Sequence, residues 1–211
     1  MMTYNKIETL YARDIDGSKR LMEGVFRSNL IESLQNIPWR FTEKIDGTNI
    51  RICWDGHNIT FGGRTDKAQI PVDLVNYLNQ KFRNVETEEM FEQTFGENEV
   101  IFFGEGYGPK IQSGHKYRDE VSFILFDVAI NGRYQEWENM MSIARKFDID
   151  VVDVIPGIEN FTQAVAFVKT SPKSFHGAAD MEGVVGRPTY MDLYDRNGNR
   201  AIVKIKKVDF K

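Results

Sequence analysis

Apolar and polar positions change period several times along the chain, and each change predicts an element. Residues 1–37 read as a polar, weakly helical lead-in, with Ile31, Leu34 and Ile37 at helical spacing until Pro38 stops the pattern. Residues 48–54 alternate in character, Asp55-Gly56 supplies a turn and residues 58–61 resume, which predicts a hairpin. Over residues 72–95, Leu74, Val75, Leu78, Phe82, Met90 and Phe91 recur at helical spacing with a break near Asn84, so one or two helices are expected. Residues 100–103 and 121–130 are apolar runs rich in aromatic and β-branched residues and read as buried strands, the second closed by the turn Asn131-Gly132. Helices are predicted over 136–147, where Trp137, Met140 and Met141 read as core, and over 160–169. Strands return at 181–186 and in a hairpin in which Asn197-Gly198 turns Leu193-Tyr194 back onto residues 201–205. Strands and helices alternate without a repeat, so the expected class is α+β.

Composition narrows this picture. With 211 residues, 41% of them hydrophobic, the chain can bury one good core, so one domain is expected over 1–211, with the lead-in 1–37 and a core 38–211. A formal charge of −4 argues against holding nucleic acid by bulk electrostatics and requires any polyanion contact to be focused. The single Cys53 excludes an internal disulfide framework and a cysteine-rich zinc site. No apolar run reaches the length of a membrane span, and the polar start lacks a signal peptide's apolar stretch, which together predict a cytoplasmic protein with no membrane partner. His57, His115 and His176 lack metal-ligand spacing and read as structural or exposed.

The candidate chemistry centres on Lys44 in Glu43-Lys44-Ile45-Asp46-Gly47-Thr48-Asn49. A lysine becomes a nucleophile only without its proton, so it needs partners that desolvate it or crowd it with positive charge. Four later segments supply suitable residue types. Arg64 follows the first hairpin and can fork onto a phosphate or ribose oxygen. Glu105 sits at the end of a buried strand among Gly104, Gly106 and Gly108, which would let a ligand approach the backbone. Phe126 offers an aromatic face on a strand, with Phe123 equally well read as core. Glu182 stands just ahead of a buried strand, where a carboxylate needs a cation, a metal or a hydroxyl. In Val203-Lys204-Ile205-Lys206 the alternation puts both lysines on one strand face.

In this order, Lys-x-Asp-Gly, an arginine 20 residues on, a strand-end glutamate, an aromatic-Asp strand, Glu-Gly-Val-Val and Lys-x-Lys resemble the covalent nucleotidyltransferases, the polynucleotide ligases and capping enzymes. Glu-Lys-Ile-x-Gly-Thr-Asn is most similar to the RNA ligase 2 class, although Asp46 stands where the phage ligase of that class has histidine. The resemblance covers about residues 41–206 and implies a nucleotidyltransferase (adenylation) domain with antiparallel sheets, flanking helices and a nucleotide cleft between them. It also implies an ATP-dependent RNA ligase acting through lysyl-AMP at Lys44 on RNA 5′-phosphate and 3′-hydroxyl ends, in a nicked duplex among other forms. By the same resemblance Glu43 and the Ile45 backbone meet adenine, Phe126 stacks on it, Asn49 lies near the phosphates or the attacking RNA end, and Arg64 and Glu105 hold the ribose. Lys204 and Lys206 grip the α-phosphate and, as like charges, ease deprotonation of Lys44. Glu182, with Asp46 and Glu105 through water, organises magnesium or manganese. Five residues follow Lys206, so no C-terminal RNA-binding or OB domain is expected, and a helper protein could supply RNA-end binding. A minimal DNA ligase and a non-catalytic nucleotide- or RNA-end-binding module of the same fold are the alternatives.

Overall fold

The computed structural model describes residues 2–14, 16, 17 and 20–210; Ile15 of Asp14-Ile15-Asp16-Gly17, a second Asp-Gly segment with an acid at the position that Lys44 holds in its own motif, lies outside them. The chain opens with strands β1 (Glu8–Thr9), β2 (Tyr11–Arg13) and β3 (Leu21–Phe26), helix α1 (Asn29–Ser33) and strand β4 (Trp39–Lys44). It continues through β5 (Thr48–Trp54), β6 (Ile59–Gly63), α2 (Val72–Phe82), α3 (Val85–Phe95), β7 (Val100–Tyr107), β8 (Ser122–Ile130), β9 (Arg133–Tyr134), α4 (Trp137–Lys146) and β10 (Asp150–Val151). It closes with α5 (Phe161–Lys169), β11 (Gly183–Pro188) and β12 (Val203–Lys206). No helix among the described residues is long and apolar enough to cross a membrane.

The chain divides into two compact units. The first combines the residues up to Asn5 with Asp46–Val152, and the second combines Lys6–Ile45 with the residues from Asp153 onward. Each unit has its own buried apolar cluster, and one boundary cuts through the 1–37 lead-in.

The first unit is a sheet in the order β10-β8-β7-β5-β6, with β9 paired to β8. Ile50, Ile52 and Trp54 of β5, Phe102 of β7, and Phe123, Leu125 and Val128 of β8 face α2, α3 and α4, which bury Leu74, Leu78, Phe82, Phe91 and Met140 against them. The helical break near Asn84 is a cap: the Asn84 carboxamide accepts from the Thr87 N–H at 2.9 Å, restarting the helix as α3. Asn131 and Gly132, both at positive φ, turn β8 into β9. The glycines of β7 do not open the backbone to a ligand. A Cβ on Gly104 would lie 2.2 Å from the Phe123 ring and 2.4 Å from the Ile124 carbonyl, and one on Gly106 would lie 2.3 Å from Leu74. They make room for the protein's own core, and Gly104→Ala is expected to cost about 1–3 kcal/mol by overpacking, read as an earlier urea midpoint. An unchanged midpoint would contradict this packing.

The second unit has a four-stranded sheet, β1-β12-β11-β4, and a separate β2–β3 ribbon. Trp39, Phe41, Val184, Val203 and Ile205 pack with Phe161, Ala164, Val165 and Val168 of α5, which Asn160 caps through the Gln163 N–H at 2.9 Å. Residues expected as a weakly helical lead-in form three strands and only the five-residue α1, because Tyr11 pairs with Phe26 and their rings meet at 5.6 Å. Of the predicted 193–205 hairpin, the structure keeps the bridge Tyr194 to Arg200 and β12.

Candidate active site

Strand register assembles the lysines of the second unit. Gly183 of β11 is paired with Lys44 on β4 and with Lys206 on β12, so the two lysines stand abreast with a residue lacking a side chain between them. Val185 pairs with Lys204, which by the two-residue strand period lies on the same face as Lys206, while Val203 and Ile205 are buried on the other. Glu182, one residue ahead of β11, reaches into this row. Its Oε2 accepts from Lys44 Nζ at 2.5 Å, and its Oε1 pairs with Lys206 Nζ. Burial, and then the like charges of Lys44 and Lys206, hold the Lys204 ammonium below the ordinary lysine pKa. The carboxylate expected ahead of the strand has therefore found two cations.

The segment before Glu182 is a tight hairpin. Met181 N–H donates to the Pro172 carbonyl at 2.9 Å, Ser174 N–H to the Ala179 carbonyl at 2.9 Å, and Lys173 bridges Asp180. Hydrogen bonds from Lys173 and then Lys207 hold the Asp180 carboxyl down at about 2. The tip of this hairpin meets Glu43, which is 1% exposed: Phe175 N–H donates to Glu43 Oε2 at 2.9 Å. His176 Nε2 lies 2.7 Å from Asp153 Oδ2, and Glu43, Asp153 and His176 bring ligand-type atoms within 4.8 Å of one another. His176 is thus gathered into an acidic cluster beside the motif, a role hidden in the sequence because only the hairpin fold brings it to Glu43.

Burial raises the Glu43 carboxyl above the ordinary glutamate pKa despite stabilising hydrogen bonds from Ser174 and Phe175 and the nearby His176. A carboxyl whose folded-state pKa exceeds its unfolded one binds more protons when folded, so its ionisation destabilises the fold as pH rises through that window. Glu43→Gln is accordingly expected to melt above the native protein at pH 7, with the gap closing as pH falls below the unfolded glutamate value. Thermal melts across that range check this, and a lower melting point at pH 7 would contradict it.

The remaining sequence-marked residues belong to the first unit, apart from Ile45, which is buried at the end of the second. Asn49 pairs with Glu105, and Glu105 with Ile124, so Asn49 and Glu105 share the sheet face opposite the apolar core. The buried Asn49 Oδ1 has no hydrogen-bond partner among the described residues. Phe126 is the extra residue of a β-bulge, since Phe103 pairs with Asp127 and Gly104 with Leu125. It is half-buried, whereas Phe123 is core at 1% exposure. Arg64 is exposed in the turn after β6, and Asp46 is half-buried with its N–H donating to the Tyr117 hydroxyl at 3.3 Å. Sequence reasoning missed Arg51, which is 1% exposed. It donates to the Gly63 carbonyl at 2.8 Å and to Asp66 Oδ1 at 2.7 Å, bracketing Arg64. The alternation of β5 puts it on the Asn49 face, the one signal that could have singled it out.

Carboxylate oxygens are the donors a hard divalent cation prefers, and Glu182 is the partly exposed carboxylate among the lysines. Both of its oxygens are engaged by ammonium groups, so a cation there takes the place of at least one of them.

The family model for RNA ligase matches residues 37–206. No curated protein matches the chain. Among solved structures, a lysine-to-methionine variant of Naegleria gruberi RNA ligase with AMP and Mn is similar at TM-score 0.66 and 16% identity, over 97% of this chain and 62% of that one. An arginine-to-alanine variant of the same ligase with ATP and Mn gives TM-score 0.67 at 15% identity, over 97% of this chain and 56% of that one. A glutamate-to-alanine variant with ATP and Mn gives TM-score 0.64 at 16% identity, over 84% and 52%. The chain therefore spans about three fifths or less of the length of these ligases, and the likeness shows a common fold of antiparallel sheets and helices. With the family model covering most of its length, the chain belongs to the RNA ligase family.

Proposed function

We propose that this chain is an ATP-dependent RNA ligase that works through a covalent lysyl-AMP at Lys44. The observation that carries the reading is Glu182 clasped by Lys44 and Lys206, with Lys204 desolvated on the same strand face. A nucleophilic lysine carries no proton, so attack requires the Lys44–Glu182 ion pair to be given up. Lys44 Nζ then forms a bond to the α-phosphorus, the bond from that phosphorus to the β-phosphate oxygen breaks, and pyrophosphate leaves. Lys204 and Lys206 hold phosphate oxygens through this step, since phosphoryl transfer depends on positioning and on offsetting charge. Glu182, Asp46 and Glu105 would hold a magnesium or manganese ion, which would add to the neutralisation of phosphate charge.

In the second step an RNA 5′-phosphate oxygen attacks the lysyl-AMP phosphorus, the N–P bond breaks and Lys44 regains its proton. In the third, a 3′-hydroxyl attacks the 5′-phosphorus and AMP departs. Phe126 stacks on adenine, Glu43 and the Ile45 backbone read its edge, and Arg64 and Glu105 hold the ribose. Asn49, whose buried oxygen has no hydrogen-bond partner among the described residues, meets the phosphates or the attacking RNA end. A cytoplasmic setting and a helper protein that presents RNA ends belong to the same proposal. Nicked duplexes with RNA or DNA on each side of the break test it: AMP-capped 5′ ends and sealed product are expected with RNA at the nick. Sealing confined to DNA nicks would make the protein a minimal DNA ligase, and no AMP transfer to any 5′-phosphate would contradict ligation.

A further inference from the structure

Residues 2–4 fold onto the face of the first unit's sheet that carries Phe103 and Phe126, opposite its apolar core. Tyr4 is 7% exposed, and its ring lies 5.0 Å from the rings of both Phe103 and Phe126 and 5.8 Å from that of Tyr134. Against Phe126 the two planes meet at 68°, an edge arrangement that aromatic pairs favour. The Tyr4 hydroxyl donates to Asp127 Oδ2 at 2.9 Å, and Asp127 is fully buried. The bulge explains how one tyrosine reaches two consecutive residues. It breaks the strict alternation of β8, so Phe126 and Asp127 both turn to the same partner. Two residues earlier, the Met2 carbonyl accepts from Arg51 Nη1 at 3.2 Å, which ties the segment to β5 at a second point.

We infer that Tyr4 is a positioning residue that fixes the ring plane of Phe126 for stacking on the nucleobase, with Asp127 anchoring Tyr4 in turn. This rests on the proposed role of Phe126. A half-buried phenylalanine on a bulge has rotamer freedom that a bound base would have to remove. A perpendicular ring packed against it and pinned at its hydroxyl removes that freedom beforehand, which strengthens stacking without touching the nucleotide.

Calorimetry with metal-free ATP and with inorganic triphosphate, which has no base, tests the inference on the full chain as Tyr4→Leu, Tyr4→Phe, Phe126→Ala and the Tyr4/Phe126 double variant. Tyr4→Leu is expected to weaken ATP binding about two- to tenfold, the range that an aromatic pair contributes. Triphosphate binding should stay unchanged, whereas a purely structural role would weaken both ligands. Tyr4→Phe, which keeps the ring and loses the anchor, should fall between Tyr4→Leu and the native protein. It keeps the test open if Tyr4→Leu fails to fold. The double variant should bind ATP no more weakly than Phe126→Ala alone, because the two residues act as one. If Phe126→Ala weakens ATP binding and the Tyr4 variants do not, the positioning role is overturned while the stacking role stands. If Phe126→Ala leaves ATP binding unchanged, both are overturned.

Discussion

Lys44→Ala is expected to abolish transfer of label from α-labelled ATP to the protein while leaving the fold in place. The loss should be complete, because no other group can replace the nitrogen that bonds to phosphorus. Lys206 and Lys204 share its sheet face, but both stand on β12, Lys206 across Gly183 from Lys44 and Lys204 opposite Val185. Stability should change little. The Lys44 side chain is a quarter exposed, Lys206 remains to pair with Glu182, and ion pairs of this kind contribute about 0–1 kcal/mol. The checks are the labelling assay and a thermal melt run together. Lost labelling with a collapsed melting temperature would indicate a structural defect, and surviving label would place the nucleophile elsewhere.

Glu182→Gln carries the second largest expected effect. Glutamine keeps the shape of the side chain but removes the negative charge shared by Lys44 and Lys206 and the oxygen pair suited to a divalent ion. The rate of protein adenylylation at saturating ATP should fall about 10²- to 10³-fold, the scale of losing one preorganised charge-stabilising group at a phosphoryl-transfer site. Raising the magnesium or manganese concentration should recover only part of it. A rate within threefold of the native one would mean that Glu182 merely tethers the lysines.

Much of this arrangement is legible in the residues themselves, for physical reasons. The alternation in Val203-Lys204-Ile205-Lys206 is a local pattern that only a strand with one buried face satisfies, and β12 is that strand. Asn84 and Asn160 mark helix starts because a short polar side chain serves the open N–H groups, and both do so here. Glu182 is readable as a carboxylate in want of a cation because its apolar surroundings are adjacent in sequence. What stays hidden depends on register and distance. Nothing in the order of residues 1–37 says that Tyr4 joins one unit and Tyr11 the other, since strands of two to six residues carry too little period to be told from loop. His176 looks isolated until a hairpin closed between Pro172 and Met181 carries it to Asp153. Gly104 and Gly106 resemble a ligand-facing loop when read in line, and only the register of β7 reveals that their missing side chains accommodate Phe123 and Leu74. Phe126 lies opposite Phe123 and Leu125 by simple alternation, and what the sequence hides is the extra residue that brings Asp127 to the same face, opposite Phe103.

The most direct measurement of the central claim is peptide mapping by mass spectrometry after the native protein has met ATP and magnesium. A single AMP adduct on the peptide containing Glu43-Lys44-Ile45, with the acid lability of a phosphoramidate and on Lys44 itself, is the predicted result. An unmodified Lys44 peptide, or AMP on any other residue, would contradict the account.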